Sequence, residues 1–257
     1  MKVVILAGGK GRRICSESTN IPKPLVEIGG IPIICHVMHY FETFGYHEFV
    51  IALGYQSEKV INTIEQYMQV RNRQEMLTTT GDRVINLSSK DSKWAVMLVE
   101  TGSDTSTGGR IKRLEPFLDK ESFFLAWCDG LSDIQLDKMA TFHKNHGRLV
   151  TVAAVHPYSR FGVLELTGDR ISGFQEKPRL NEQWINSGYF IVNPGAMQYI
   201  TGDNDQWECA PVAKLIQNQQ FMVWRHEDNW LCMDTVHDWE VLEELWASGS
   251  AFWNPEK

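Results

Sequence analysis

The chain has 257 residues, of which 43% are hydrophobic and 22% are charged, and its formal net charge is −7. A chain of this length and composition can bury a sizeable core without help from metals or disulfides. The acidic balance argues against non-specific binding to nucleic acid or to an anionic membrane, so any anionic ligand must be held by a local basic cluster.

The cysteines and the first residues of the chain bear on the compartment. The cysteines are odd in number, widely spaced and without a C-x-x-C pair: Cys15, Cys35, Cys128, Cys209 and Cys232. Reduced thiols are therefore expected, rather than a disulfide framework or a zinc site. The first apolar run is too short for a signal peptide, and no apolar run is long enough to span a membrane. We expect a cytoplasmic protein.

Strand-like and helix-like segments alternate through about the first 155 residues. Continuous apolar runs predict strands at Val3–Ala7, Phe49–Leu53, Ala95–Val99, Phe123–Cys128 and Val150–Val155. Helical spacing and end signals predict helices from Pro32 to Gly45, from Ser57 to about Met68 and from Leu136 to Gly147. This order predicts an α/β protein with a Rossmann-like, mostly parallel twisted sheet flanked by helices.

The pattern changes after about residue 155. Short strands are predicted at Phe161–Leu166, Arg170–Gln175, Tyr189–Val192, Phe221–Arg225 and Trp230–Met233, with helices near Val212–Asn218 and Trp239–Ala247. The sequence shows neither a linker-like stretch nor an internal repeat, so we predict one domain, 1–257, with a small C-terminal β-rich and helical subregion. The polar segment Gln69–Asp91 is predicted to be irregular, as a flexible insertion or a partner contact.

The first strand runs directly into a basic, glycine-rich stretch, GGKGRR, at residues 8–13. Glycines after a strand let backbone N–H groups approach a phosphate because no Cβ intervenes, and the basic side chains add positive charge. The stretch is not a P-loop, and Ile14 stands where a dinucleotide-binding motif has its third glycine. A phosphate site is therefore favoured over a basic surface turn, and a dinucleotide-binding oxidoreductase is disfavoured.

A series of short motifs carries a resemblance to a known family. The signature L-A-G-G-x-G-x-R, at residues 6–13, is followed by P-K-P-L at 22–25. Eight further motifs follow in family order: EIGG (27–30), TGGR (107–110), CDG (128–130), RFG (160–162), FQEKP (174–178), WINSG (184–188), MDT (233–235) and LEELW (242–246). The chain therefore resembles the sugar-phosphate nucleotidylyltransferases over nearly its whole length, and most of all those that join CTP to glucose 1-phosphate.

The resemblance implies a reaction and its partners. It implies condensation of CTP with α-D-glucose 1-phosphate to CDP-glucose and pyrophosphate, with Mg²⁺, in an enzyme that forms a homo-oligomer. Residues 1–155 would form the nucleotide-binding part and residues 156–257 the sugar-binding part. A different phosphorylated acceptor, or UTP or dTTP as donor, remains open. The alternative from another class is a catalytically silent nucleotide-binding regulator, against which Lys23, Asp129, Lys177 and Asp234 together speak.

The resemblance also implies roles for particular residues. The nucleotide would be bound by the end of the first strand, the glycine stretch and the TGGR motif: Leu6, Ala7, Gly8, Gly9, Gly11, Arg12, Thr107, Gly109 and Arg110. The catalytic cations would be Arg13 and Lys23, and the Mg²⁺ ligands Asp129 and Asp234. The sugar and its phosphate would be bound by Glu176, Lys177, Asn186 and Gly188.

Without the resemblance, several of these residues have ordinary alternatives. Lys23 reads equally well as a solvated surface lysine, and Asp234 as the cap of the following helix. Asp129 has a physical argument of its own, because it follows a buried strand and the carboxyl ends of parallel strands face the ligand crevice. The sequence departs from the family pattern at Arg12, Ile14 and Cys128, which leaves the identity of the sugar open.

Overall fold

The structure is a computed structural model that describes residues 1–9, 21–72, 77–81, 84–88 and 93–254. Its strands are β1 Val3–Leu6, β2 Glu27–Ile28, β3 Ile31–Pro32, β4 Glu48–Leu53, β5 Leu77–Gly81, β6 Val84–Ser88, β7 Ala95–Glu100, β8 Phe123–Trp127, β9 Gly130–Ser132, β10 Val150–Val155, β11 Val163–Thr167, β12 Arg170–Gln175, β13 Ile185–Val192, β14 Phe221–Arg225 and β15 Trp230–Cys232. Its helices are α1 Ile33–Thr43, α2 Ser57–Asn72, α3 Thr107–Arg113, α4 Leu136–His146, α5 Ala210–Gln217 and α6 Val236–Ala247.

One sheet of nine strands organises the described chain, in the order β14-β10-β13-β8-β1-β4-β7-β6-β5. β1 lies in the middle and pairs in parallel with β4 and β8, and β4 pairs in parallel with β7. Only β13 and β6 run against the other strands of this sheet. The predicted mostly parallel α/β sheet is therefore confirmed.

β1 is buried on both faces, which explains its unbroken apolar sequence. Val3 and Ile5 pack into a core that includes residues of α1, α2, α4 and α6. Val4 and Leu6 point to the opposite face, into a second core with residues of α3 and α5. Helices thus cover both faces of the sheet, as predicted. No helix in the described part of the chain is both long enough and apolar enough to cross a bilayer.

The segment Gln69–Asp91 differs from its prediction as an irregular stretch. Helix α2 continues to Asn72, and β5 and β6 then extend the sheet in antiparallel fashion beyond β7. The prediction was wrong because the threonine-rich run Leu77–Gly81 has no apolar periodicity. Strands at the edge of a sheet need no continuous apolar run, and β-branched threonine is a good strand former.

The hairpin of β11 and β12 lies outside the large sheet and exposes an apolar face, here named the hairpin patch. Leu164 lies opposite Phe174, and Leu166 lies opposite Ile171, so the four side chains share one face. They are 48%, 61%, 65% and 58% exposed, respectively. A cluster of large exposed apolar side chains is typical of a surface that another protein covers.

His143 connects α4 to the rest of the fold through hydrogen bonds at both ring nitrogens, one as donor and one as acceptor. Its Nδ1 lies 2.8 Å from the Thr151 hydroxyl, and its Nε2 lies 3.1 Å from the Ser122 hydroxyl. Burial, together with the charge of the neighbouring His146, lowers the pKa of His143 to about 4. The unfolded chain, with a pKa of about 6.5 at this residue, therefore takes up a proton before the folded chain does, so stability falls as the pH drops through this window.

We expect His143→Gln to weaken the pH dependence of stability. In the wild type this histidine should remove roughly 2 kcal/mol of unfolding free energy between pH 7 and pH 4.5. The variant should lose roughly 2 kcal/mol less over that range, although it is less stable at pH 7. Urea unfolding at both pH values measures the difference. His237→Gln is the control, since the His237 side chain is 63% exposed. Equal losses in His143→Gln and wild type would contradict the assignment.

Candidate active site

The carboxyl ends of β1, β4, β7 and β8 meet at one edge of the sheet, where two cavities open. The first cavity, of about 660 Å³, is lined by the residues after β1 and by the segment 103–107. The second, of about 1030 Å³, is lined by segments 157–160, 185–188 and 229–232 and by residues of α6. Trp127 and Asp129 line both cavities, so the two spaces meet at the end of β8.

Lys23, Asp129 and Asp234 form a compact ion cluster at this junction. The Lys23 Nζ lies 2.5 Å from Asp129 Oδ2 and 2.6 Å from Asp234 Oδ1. The Lys23 side chain is only 12% exposed, which excludes the alternative of a solvated surface lysine. Burial alone would lower the pKa of Lys23, but Asp129 and Asp234 more than offset this and raise the pKa above its ordinary value. The ammonium therefore stays protonated.

Three distant segments bring the ion cluster together. Lys23 begins a single 3₁₀ turn, Lys23–Leu25, and the prolines on either side of it restrict the backbone. Asp129 directly precedes β9, and its carbonyl accepts a hydrogen bond of 2.9 Å from the N–H of Met233. Asp234 does not cap α6, because Thr235 is the N-cap and forms a capping box with Asp238. The Asp234 carboxylate instead contacts Lys23.

The two carboxylates of the ion cluster fit a hard divalent cation. One ligand atom each from Asp129, Cys232 and Asp234 lies within 4.8 Å of the others. Carboxylate oxygens suit Mg²⁺, whereas sulfur is a soft ligand. Burial raises the pKa of the Cys232 thiol and the nearby Asp129 raises it further, so the thiol stays protonated. Asp129 and Asp234 are therefore the groups of this cluster that could hold such a metal.

Residues at the end of β1 and directly after it lie beside the first cavity. Leu6, Gly8 and Gly9 line it. Ala7 is buried, and its N–H donates to the carbonyl of Ala52 at 3.0 Å, so its backbone belongs to the sheet. The Gly8 carbonyl accepts hydrogen bonds from the N–H of Tyr55 at 3.1 Å and from Arg110 Nη2 at 3.0 Å. The remaining predicted residues of this stretch, Gly11, Arg12 and Arg13, lie outside the described residues.

The TGGR motif forms the first turn of α3, where it both lines the first cavity and packs the helix. The Thr107 hydroxyl donates to Glu208 Oε2 at 2.7 Å and accepts from the N–H of Trp207 at 2.9 Å, and Thr107 lines the cavity. Gly109 does not line it. A Cβ on Gly109 would lie 2.5 Å from the carbonyl oxygen of Asp203, so this glycine allows the helix to pack closely on the 203–205 loop.

The Arg110 guanidinium lines the first cavity but is bonded to protein atoms. Arg110 is only 4% exposed. Its acceptors, at 2.7–3.3 Å, are the backbone carbonyls of Gly8, Leu53, Gly102 and Ser103 and the hydroxyl of Thr101. One side chain thus joins the carboxyl ends of β1, β4 and β7. The motif alone predicted only a cation able to approach a ligand.

Three of the residues predicted to contact the sugar line the second cavity: Lys177, Asn186 and Gly188. Asn186 Oδ1 accepts a hydrogen bond of 2.8 Å from the Gly188 N–H. Gly188 has a φ of +84°, and a Cβ there would lie 3.2 Å from the Trp127 Cβ, so both backbone and space favour glycine. Glu176 is exposed and, among the described residues, is not one that lines this cavity.

Trp127 and Arg160 are among the lining residues that were not predicted as site residues. Trp127 lines both cavities, and its ring packs against Phe190 with centroids 4.8 Å apart. Its place at the end of a buried parallel strand is a signal that could have found it. Arg160 lines the second cavity together with Lys177, which gives that cavity two cations. The sequence alone gives no sign that Arg160 of the RFG motif lines the second cavity.

Comparison with known proteins gives matches that cover nearly the whole chain. Residues 2–240 match the family described as nucleotidyl transferase. The chain is 36% identical over 254 residues to the glucose-1-phosphate cytidylyltransferase of Salmonella typhimurium, with 98% of each chain covered. It is 33% identical to the probable glucose-1-phosphate cytidylyltransferase of Bacillus subtilis, with 98% of this chain and 99% of that protein covered.

Solved structures share the fold at lower sequence identity. HddC from Yersinia pseudotuberculosis matches with a TM-score of 0.68 at 20% identity, over 95% of this chain and 99% of that one. A UDP-glucose pyrophosphorylase complexed with UDP-glucose matches with a TM-score of 0.69 at 15% identity, over 96% and 98%. At these identities the structural matches establish the fold. Evidence about the reaction comes from the relatives of higher sequence identity.

Proposed function

The chain belongs to the nucleotidyl transferase family, and from this premise we propose that it condenses CTP with α-D-glucose 1-phosphate to CDP-glucose and pyrophosphate. The observation that carries the proposal is the ion cluster of Lys23, Asp129 and Asp234 at the junction of two cavities. The choice of substrates is supported by the two relatives of highest identity reported above, both of which are named for this reaction.

The proposed reaction places one reactant in each cavity. An oxygen of the sugar 1-phosphate attacks the α-phosphorus of CTP, a new P–O bond forms, and the bond to the leaving pyrophosphate oxygen breaks. Both reactants are anions, so the reaction depends mainly on alignment and on positive charge. CTP occupies the first cavity and the sugar phosphate the second, and their reacting ends meet beside Asp129, which lines both. Residues 1–155 thus supply most of the nucleotide site and residues 156–257 most of the sugar site.

On the nucleotide side, the backbone after β1 and the start of α3 bind CTP. Leu6, Gly8, Gly9 and Thr107 line the cavity that receives it. The stretch with Gly11, Arg12 and Arg13 continues from this turn and supplies backbone donors and cations to the phosphates. Lys23 stabilises charge on the α-phosphate, for which its buried, permanently protonated ammonium is suited.

On the acceptor side, cations and hydrogen-bonding groups bind the sugar phosphate. Lys177 and Arg160 supply positive charge to the phosphate from the lining of the second cavity. Asn186 and Gly188 shape the pocket for the sugar ring. Glu176 is left out of this pocket, because it is exposed and does not line the second cavity.

We propose Mg²⁺ as the divalent metal of this site. Asp129 and Asp234 would hold it through their carboxylates, since these are the hard oxygen ligands of the junction. When bound, it neutralises charge on the phosphate oxygens of the nucleotide. Cys128, where the family pattern differs, is buried in the lining of the first cavity. Burial raises the pKa of its thiol, so the side chain at this position, where the sequence departs from the family pattern, is uncharged.

The test is pyrophosphate release by the purified protein with Mg²⁺ and glucose 1-phosphate, measured separately with CTP, UTP, dTTP and ATP. We expect release with CTP alone. Release with CTP only when another phosphorylated acceptor replaces glucose 1-phosphate would retain the reaction class and overturn the substrate. Binding of CTP without release across a panel of acceptors would overturn the enzyme in favour of a silent nucleotide-binding protein.

We propose further that the chain forms a homo-oligomer in which the hairpin patch of one copy is covered by another copy. The chain carries a net charge of −7, and the patch presents four apolar side chains, so like charges repel least there. We expect Leu166→Asp to shift the protein to a smaller species in sedimentation velocity. Val70→Asp is the matched control, because Val70 is 80% exposed on α2 and lies outside the patch. An unchanged size in Leu166→Asp would contradict the proposal.

A further inference from the structure

Arg110 occupies a slot that two glycines leave open. A Cβ on Gly8 or on Gly54 would lie 2.3 Å from Arg110 Nη1. Neither glycine is among those with positive φ, so both are needed for the space that the guanidinium takes rather than for a special backbone conformation. The slot lies between the turn after β1 and the end of β4, beside the first cavity, which Arg110 itself lines.

The hydrogen bonds of Arg110 tie this slot to a third strand. Nη2 donates to the Gly8 carbonyl at 3.0 Å, and Nη1 donates to the carbonyls of Leu53 at 2.9 Å and Gly102 at 2.7 Å. Gly8 begins the glycine turn, and Gly102 directly precedes the segment 103–107 that lines the other side of the first cavity. Only the fork of a guanidinium can reach acceptors on both sides at once, because a lysine offers a single nitrogen.

We propose that Arg110 is a positioning residue that sets the separation between the glycine turn and the 103–107 wall, so that the first cavity is preformed for the nucleotide. The inference rests on the proposed function, because it takes the first cavity as the nucleotide's. A cavity held in its binding shape spares the nucleotide the free-energy cost of ordering two loops. None of the described acceptors of Arg110 lines the second cavity, so binding of the sugar phosphate is independent of it.

A double-mutant cycle tests the slot without relying on a single destabilised variant. We expect Gly54→Ala, whose new Cβ displaces the guanidinium, to raise the KM for CTP roughly tenfold and to leave the KM for glucose 1-phosphate within about twofold. Arg110→Ala should show the same split. The double variant should have the same KM for CTP as either single variant, because the new Cβ then meets an empty slot. Lys112→Ala is the matched control, since Lys112 lies on the same helix and contacts Met197 and Glu115, neither of which contacts Arg110 or lines the first cavity.

A small-molecule rescue separates positioning from general loss of stability. Guanidinium at low millimolar concentration should restore the KM for CTP in Arg110→Ala, whereas ethylammonium should not, because only the planar cation reproduces the fork. Additive effects in the double variant, equal rises in both KM values or absent rescue would overturn the inference. If the wild type releases no pyrophosphate, the proposed function fails by itself, and CTP affinities of the same variants by calorimetry still decide the role of Arg110.

Discussion

Replacing Lys23 with glutamine is expected to lower kcat by about three orders of magnitude. The substitution removes the permanent positive charge from the junction of the two cavities while keeping a side chain of similar length. It also leaves the carboxylates of Asp129 and Asp234 without the cation that they now share at 2.5 and 2.6 Å. Single-turnover pyrophosphate release at saturating CTP and glucose 1-phosphate measures the loss directly.

The control for this charge is Lys144→Gln, because Lys144 is exposed on α4. It should retain the wild-type kcat. A variant at Lys23 with a raised KM for CTP but an unchanged kcat would show that the ammonium contributes to binding alone. That outcome would contradict the proposal that Lys23 stabilises charge at the α-phosphate.

Asp129→Asn is expected to reduce kcat by a factor of about 10³ and to weaken divalent-metal binding. The amide is almost the same size, so the cavities keep their shape, but the junction loses one of the two carboxylates that fit the metal. Lys23 retains Asp234 as a partner, so the fold should survive. Pyrophosphate release gives the activity, and the electron paramagnetic resonance signal of free Mn²⁺ in the presence of CTP gives metal affinity independently.

Asp137→Asn supplies the comparison for this carboxylate, since Asp137 is exposed in the first turn of α4. We expect its activity and Mn²⁺ affinity to match the wild type. Wild-type Mn²⁺ affinity in Asp129→Asn, combined with low activity, would refute its assignment as a metal ligand. Asp129 would then act only as an ion-pair partner of Lys23.

The central strands could be predicted from the sequence because strands buried on both faces carry uninterrupted apolar runs. β1 and β10 are wholly buried and were found to within one residue. The helix α4 was also found, and Gly147 ends it with a φ of +63°, as a glycine after a helix commonly does. β5 was missed because a threonine-rich edge strand gives no such signal, and β6 was missed because polar residues interrupt its apolar run.

The site could be predicted only through the resemblance, because its members are far apart along the chain. Lys23 and Asp129 are 106 residues apart, and Lys23 and Asp234 are 211 apart, so no local spacing reveals that they touch. The position of Asp129 after a buried parallel strand was the one local signal. The slot of Arg110 escaped prediction altogether, because it depends on where the ends of β1, β4 and β7 converge.

The central position of β1 has a consequence for biosynthesis. This strand is synthesised before the strands that flank it, and one of these, β8, is completed only when residue 127 has been added. Until then one apolar edge stays unpaired, and contacts between such distant segments form slowly. Lys23 meets Asp234 only after almost the whole chain has emerged. The ion cluster therefore cannot be complete before residue 234 has been added, and a fragment that stops short of it lacks one of the two carboxylates.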